Sequence, residues 1–336
     1  MGPSGAPESG EGDVRRAGSG GDDDGRPRRH ARRPAIRGML VLLLQATAPG
    51  AAGQATMTAR DLLALPQPPA DHRVGYGPGP RQLGELSLPK GGGPHPVAVV
   101  IHGGCWEAPW GLDHVRGLCA ALAAEGIAVW SLEYRRLGDD GGGWTGTFED
   151  VARGADHVRD LARRFPLDPG RVVAAGHSAG GHLALWLAGR HRLPEGSSLR
   201  GRDPLRLRGV VSLAGIPDLR AGAARRVCGD AIERLLGGPP ARREERLGLA
   251  SPAGLLPLGL PQRLVCGARD GVVPLELATA YAAAAGEAGD EVTVQVLDDA
   301  GHFELVDPES TAWPAVRDAV RGLLGLDSGS ETRRRE

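Results

Sequence analysis

Asparagine is absent from the 336 residues, and of the 40 basic side chains only Lys90 is a lysine. Each absence closes off a chemistry. A Walker phosphate loop needs Gly-Lys-Ser/Thr, whereas Lys90 is followed by Gly91, Gly92 and Gly93. Schiff-base catalysis would have to use that same lysine, in an evident loop, and a papain-like Cys/His/Asn site has no amide to draw on. There is no excess of either sign, since 40 basic residues face 41 acidic ones for a net charge of −1. That balance offers no electrostatic footprint for nucleic acid or an anionic membrane surface. Cysteine is scarce as well: Cys105, Cys119, Cys228 and Cys266 are widely spaced, with no Cys-x-x-Cys pair to suggest zinc. Reduced, mostly buried thiols are expected. Arginine over lysine, 53 glycines and no asparagine together read as the mark of a GC-rich genome and carry no functional information.

What is present divides the chain into three. Residues 1–56 are expected to be a disordered extension, because their Gly, Pro, Ser, Asp and Arg content cannot bury enough surface to offset ordering entropy. Within it, arginines precede an apolar run over residues 39–44, which is shorter than the roughly 7–15 residues of an export core and far shorter than a membrane span of about 20. An upstream start codon, with the working protein beginning at Met57, is the preferred reading. It implies a cytoplasmic protein, with export as the alternative if the weak signal-like segment is real. Residues 57–326 are read as one catalytic domain and 327–336 as a disordered tail.

Between Met57 and Leu326 short β-branched runs alternate with longer amphipathic segments, the pattern of a mostly parallel sheet with helices on both faces. Eight strands are expected, at 72–76, 82–88, 97–102, 127–134, 171–176, 208–213, 262–266 and 291–297. The first two are joined only by a turn and should be antiparallel. Helical spacing covers 112–122, with Gly126 as a stop, and then a stretch beginning near Thr147 and running to Ala162, with Asp150 three residues on as an imperfect capping box. Two more helices are expected at 276–288 and 311–324. An insertion at about 215–260, with a helical stretch near 230–236, reads as a small lid.

Two motifs carry chemistry. Gly176-His177-Ser178-Ala179-Gly180 is a Gly-x-Ser-x-Gly segment with a short apolar strand before it and a helix-forming run after it. That context, more than the bare pattern in so glycine-rich a chain, marks a nucleophile elbow that exposes Ser178 on a strand-to-helix turn. Upstream, Ile101-His102-Gly103-Gly104-Cys105-Trp106 follows another apolar strand. Glycine there lets backbone N–H groups approach a developing oxyanion, and the expected donors are Ala179 with Gly104 or Cys105.

Taken together these motifs resemble those of the α/β hydrolases, over roughly residues 71–326. The His-Gly-Gly-x-Trp and Gly-His-Ser-Ala-Gly-Gly-His segments are similar to those of bacterial carbohydrate-ester and feruloyl-type esterases, arylformamidases and prolyl-oligopeptidase-like catalytic domains. The resemblance implies an α/β-hydrolase fold and a triad in the order Ser, Asp, His. Asp270 lies in a Gly-x-x-Asp-x-x-Val-Pro segment similar to the family's acid loop, and His302 follows the last expected strand, where the family places its base. Asp298 and Asp299 are rival carboxylates with turn or capping roles more in keeping with their position. His177 and His182 are read as packing or hydrogen-bonding residues, and His102 as a brace for the oxyanion loop. Cys105 is read as a pocket-lining thiol, and Arg135 as part of a structural ion pair.

The activity so implied is hydrolysis of a small-molecule ester or amide through an acyl-enzyme on Ser178, with no metal or organic cofactor. An arylformamidase-like amidase and a prolyl-oligopeptidase-like peptidase are the alternatives within enzymes. The latter normally carries an N-terminal propeller that residues 1–56 cannot supply. A non-catalytic binding protein built on the same fold is a further alternative. Oligomeric state is not legible.

Overall fold

Val97, Val99 and Ile101 bury on one side of their strand and Ala98 and Val100 on the other, and all five are inaccessible to solvent. A strand covered on both faces reads as an unbroken apolar run, and such strands belong to parallel sheets flanked by helices. The computed structural model describes residues 56–326, and the expectations for 1–55 and 327–336 lie outside the described residues. Its sheet has eight strands, all within two or three residues of the predicted spans at most ends: β1 (His72–Gly75), β2 (Leu83–Ser87), β3 (His95–Ile101), β4 (Ala128–Leu132), β5 (Leu167–His177), β6 (Gly209–Leu213), β7 (Gln262–Gly267) and β8 (Val292–Leu297). The spatial order is β1-β2-β4-β3-β5-β6-β7-β8. β1 and β2 pair antiparallel, as does β2 with β4, and all other pairings are parallel.

Among the described residues ten α-helices surround it: α1 (Ala59–Ala64), α2 (Arg116–Ala124), α3 (Gly146–Asp156), α4 (Val158–Leu161), α5 (Ala179–Gly189), α6 (Leu219–Ala224), α7 (Ala231–Leu236), α8 (Pro240–Ala250), α9 (Leu275–Glu287) and α10 (Trp313–Leu324). Gly126 ends the turn after α2 at φ 85°, as expected of a left-handed stop. The single helix expected from Thr147 is instead α3 followed by α4, and the Thr147–Asp150 capping box is not formed. Thr147 donates to the Arg135 carbonyl at 2.5 Å, while Asp150 takes a bidentate ion pair from Arg135 at 2.8 Å for each bond. The box fails because α3 begins at Gly146 with Thr145 at its N-cap, so Thr147 lies inside the helix and not at its cap.

The chain passes from β3 to β4 on one side and then crosses back to β5 on the other, so the strand order reverses between β3 and β5. In open α/β sheets the crevice beyond the carboxyl ends of the strands at such a switch point is where ligands bind. Both chemical motifs sit there: residues 102–106 leave β3, and Ser178 leaves β5.

Candidate active site

Ser178 occupies the turn between β5 and α5 at φ 55° and ψ −120°, a conformation that L-residues avoid unless the surroundings enforce it. The flanking glycines make the turn possible. A Cβ on Gly176 would lie 2.2 Å from the Gly180 carbonyl oxygen, and one on Gly180 would lie 2.0 Å from that of Ile101. The strand and helix therefore approach to backbone contact, and the Ser178 amide is held by the Leu213 carbonyl at 2.8 Å. α5 begins at Ala179, so the positive end of its dipole is presented next to the serine.

The turn after β8 brings His302 to the same place. His302 Nδ1 lies 2.7 Å from Asp270 Oδ2, and the other oxygen of Asp270 accepts from the amides of Val272 and Val273 at 2.7 and 2.9 Å. With Nδ1 donating to the carboxylate, His302 Nε2 is left as an acceptor. Asp298 and Asp299 are exposed and bond to neither. Ser178 and His302 are only 3% and 4% exposed. Among the described residues neither the Ser178 hydroxyl nor His302 Nε2 has a hydrogen-bond partner, a geometry that tightens when substrate enters such sites.

A chain of imidazoles that the motifs only partly disclosed fixes these two residues together. His177 Nε2 donates to the His302 carbonyl at 2.9 Å, and its ring lies 4.5 Å from that of His302. His177 Nδ1 must then accept, so the donor in its 2.7 Å contact is Nε2–H of His114. His182 is equally constrained. It accepts from the Trp106 indole at 3.2 Å and donates to the Ala250 carbonyl at 2.9 Å. His114 was missed at the sequence level because it falls within an amphipathic segment and no nearby motif distinguishes it.

All three rings are held neutral. Burial pushes His114 down to about 3, with His102 and His302 adding to the effect; burial also drives His177 well below the ordinary value of 6.5 and His182 to about 4. In the unfolded chain each would take up a proton near 6.5, so below that pH the unfolded state binds more protons than the folded one. Stability from this source is therefore fully present above pH 6.5 and is lost progressively as pH falls below it. Measured at about pH 7.5, 6 and 5, the melting temperature should be highest at the first and fall at each of the two lower values. A value unchanged down to pH 5 would show that these rings are not buried neutral.

The loop after β3 is braced from below. His102, stacked on Tyr134, places Nδ1 2.8 Å from the Gly103 carbonyl and Nε2 3.0 Å from Glu133. Burial opposes the Glu133 carboxylate, but the His102 hydrogen bond and the Arg136 charge outweigh it and hold its pKa below the ordinary value. Because a trans peptide is planar, securing the Gly103 carbonyl sets the opposite direction of the Gly104 N–H. The Gly104 carbonyl likewise accepts from Glu107 N–H at 2.9 Å, one of the contacts that orient the Cys105 N–H. Among the described residues the N–H groups of Gly104, Cys105 and Ala179 donate to no protein acceptor. Arg135 makes the structural ion pair expected of it, with Asp150.

Two cysteine expectations are corrected. Cys105 is not a free pocket-lining thiol, and the four cysteines are not all reduced: Cys105 and Cys228 form a disulfide with Cα atoms 5.6 Å apart. Their sequence separation is 123 residues, and no spacing rule pairs cysteines so far apart. Cys119 and Cys266 remain free and buried, and burial pushes each thiol up to about 12, which leaves them inert. Residues 215–260 form α6, α7 and α8, and Ile216, Leu219, Val227, Ile232, Leu235 and Ala250 are buried in the main core.

A family model described as BD-FAE matches residues 85–284. Esterase LipC of Mycobacterium tuberculosis is 30% identical over 259 residues, 71% of this chain and 61% of that protein. The probable isoprenylcysteine alpha-carbonyl methylesterase ICMEL1 of Arabidopsis thaliana is 32% identical over 113 residues, 32% of this chain and 22% of its own length. The chain thus spans less than two thirds of either curated relative. Esterase B from Lactobacillus rhamnosis superposes with a TM-score of 0.65 at 20% identity, over 80% of this chain and 90% of that one. A truncated carbohydrate esterase from gut microbiota gives 0.64 at 20% identity, over 76% and 99%. At these identities the likeness to solved structures is one of fold.

Proposed function

The chain belongs to the BD-FAE family of α/β-hydrolase esterases, and from that premise we propose that it hydrolyses carboxylic esters through an acyl-enzyme on Ser178. The observation that carries this reading is the Asp270–His302 hydrogen bond of 2.7 Å beside a serine held at a positive φ. In the proposed cycle His302 Nε2 takes the Ser178 proton as Oγ attacks the ester carbonyl, and Asp270 stabilises the imidazolium that forms. The N–H groups of Ala179, Gly104 and Cys105 receive the oxyanion. His302 then gives its proton to the leaving alcohol, and water completes a second, equivalent half-reaction.

The near-burial of Ser178 and His302 favours small esters over a peptide bond within a protein chain, since the latter would need a wide approach to the serine. The Cys105–Cys228 bridge favours the exported alternative over cytoplasmic residence, because disulfides persist in oxidising compartments. A fluorophosphonate probe is expected to label Ser178 stoichiometrically, in parallel with loss of p-nitrophenyl ester hydrolysis. Labelling at another residue, or inhibition without labelling, would reject the assignment.

A further inference from the structure

Residues 103–107 are tied to the excursion after β6 at three points that the proposed cycle does not use. Cys105 is bridged to Cys228, which lies in the turn between α6 and α7. Glu107 pairs with Arg234 of α7. The Trp106 indole reaches His182, whose other nitrogen donates to Ala250 at the end of α8. The excursion end of these ties is anchored, with Val227 and Ile232 buried in the core on either side of Cys228.

The bridge joins two backbone segments that would not rest in this form by themselves. Cys105 and Trp106 stand at φ 52° and 59°, and across the bridge Arg226 and Cys228 stand at 56° and 60°. None of the four is glycine, so each needs its surroundings to hold it in the left-handed region. At Cys105 that conformation decides where its own N–H points, because the peptide joining it to Gly104 is rigid.

We infer that Cys228 is a positioning residue for ester hydrolysis: its bridge to Cys105 holds the Gly104–Cys105 peptide so that the Cys105 N–H stays aimed at the oxyanion. This rests on the esterase reading above. Residues 215–260 act on that view as a fixed strut for the oxyanion loop, in place of a lid that swings free.

Cys228→Ser removes the bridge and leaves every residue assigned to the reaction in place. With a p-nitrophenyl ester kcat should fall about 10–100-fold with KM within about twofold, because a misplaced oxyanion donor is felt in the transition state and not in substrate binding. Inhibition by a trifluoromethyl ketone should weaken by a similar factor. There Ser178 Oγ adds to the carbonyl carbon, the proton passes to His302, and the resulting oxyanion needs the same donor. A bridge that merely stabilises the fold would lower the melting temperature and leave kcat and ketone inhibition of the folded variant unchanged; that result overturns the inference.

If Cys228→Ser does not fold, the same quantities are compared on the wild-type enzyme before and after dithiothreitol, which releases the two thiols as it closes to its own cyclic disulfide. Thiol titration of the denatured, unreduced protein should find two thiols, those of Cys119 and Cys266, and four would also overturn the inference. Ser178→Ala separates the two readings. Full activity in that variant removes the esterase reading and this inference with it, whereas loss there with an unaffected Cys228→Ser removes this inference alone.

Discussion

Ser178→Ala is expected to lower kcat for ester hydrolysis by about 10⁵–10⁶-fold, the scale on which removal of a triad nucleophile acts. The fold should survive. Among the described residues the Ser178 hydroxyl bonds to nothing, and what holds the turn is the Leu213 carbonyl on its amide together with the close packing of Gly176 on Gly180. Removing one oxygen leaves those contacts intact, so melting temperature and near-UV circular dichroism should match the wild type. Retention of more than about 1% of turnover in a folded variant would mean that another nucleophile is at work.

Asp270→Asn should cost about 10⁴ in kcat near neutral pH, the scale seen when a triad aspartate is made an amide. The geometry supplies the reason. Asp270 Oδ1 accepts from two backbone N–H groups, so the oxygen of an asparagine would keep that place and its NH2 would face His302 Nδ1. A donor opposite Nδ1 makes that nitrogen the acceptor and moves the ring proton to Nε2, which can then no longer receive the proton of Ser178. Asp298→Asn and Asp299→Asn are the controls. Both carboxylates are exposed, and each change should alter kcat by less than about twofold. Comparable losses at Asp298 or Asp299 would move the acid away from Asp270.

The strands were legible because burial on both faces leaves unbroken apolar runs such as residues 97–101, bounded by loop residues. The elbow was legible for a related reason, since a serine forced to a positive φ between a touching strand and helix requires small neighbours within two residues. The capping box at Thr147 failed because the helix starts one residue earlier, at Gly146, which makes Thr145 the N-cap and places Thr147 inside the first turn. Helices α6 and α8 carry too little periodic apolar surface to be told from loop, although the ends of both pack into the core.

What the sequence alone determined was therefore the local backbone chemistry and its order along the chain: a strand ending in His-Gly-Gly, a strand ending in the serine turn, then an acid loop and a histidine. The first two are decided by sterics among residues a few positions apart, and the acid loop and the histidine are implied by the resemblance to the family. Tertiary structure decided which carboxylate meets His302, which tautomers His114, His177 and His182 adopt, and that Cys105 meets Cys228. Each of those depends on which loops the strand order gathers at the carboxyl edge of the sheet. A pairing across 123 residues has no local energetic trace for a sequence pattern to reveal.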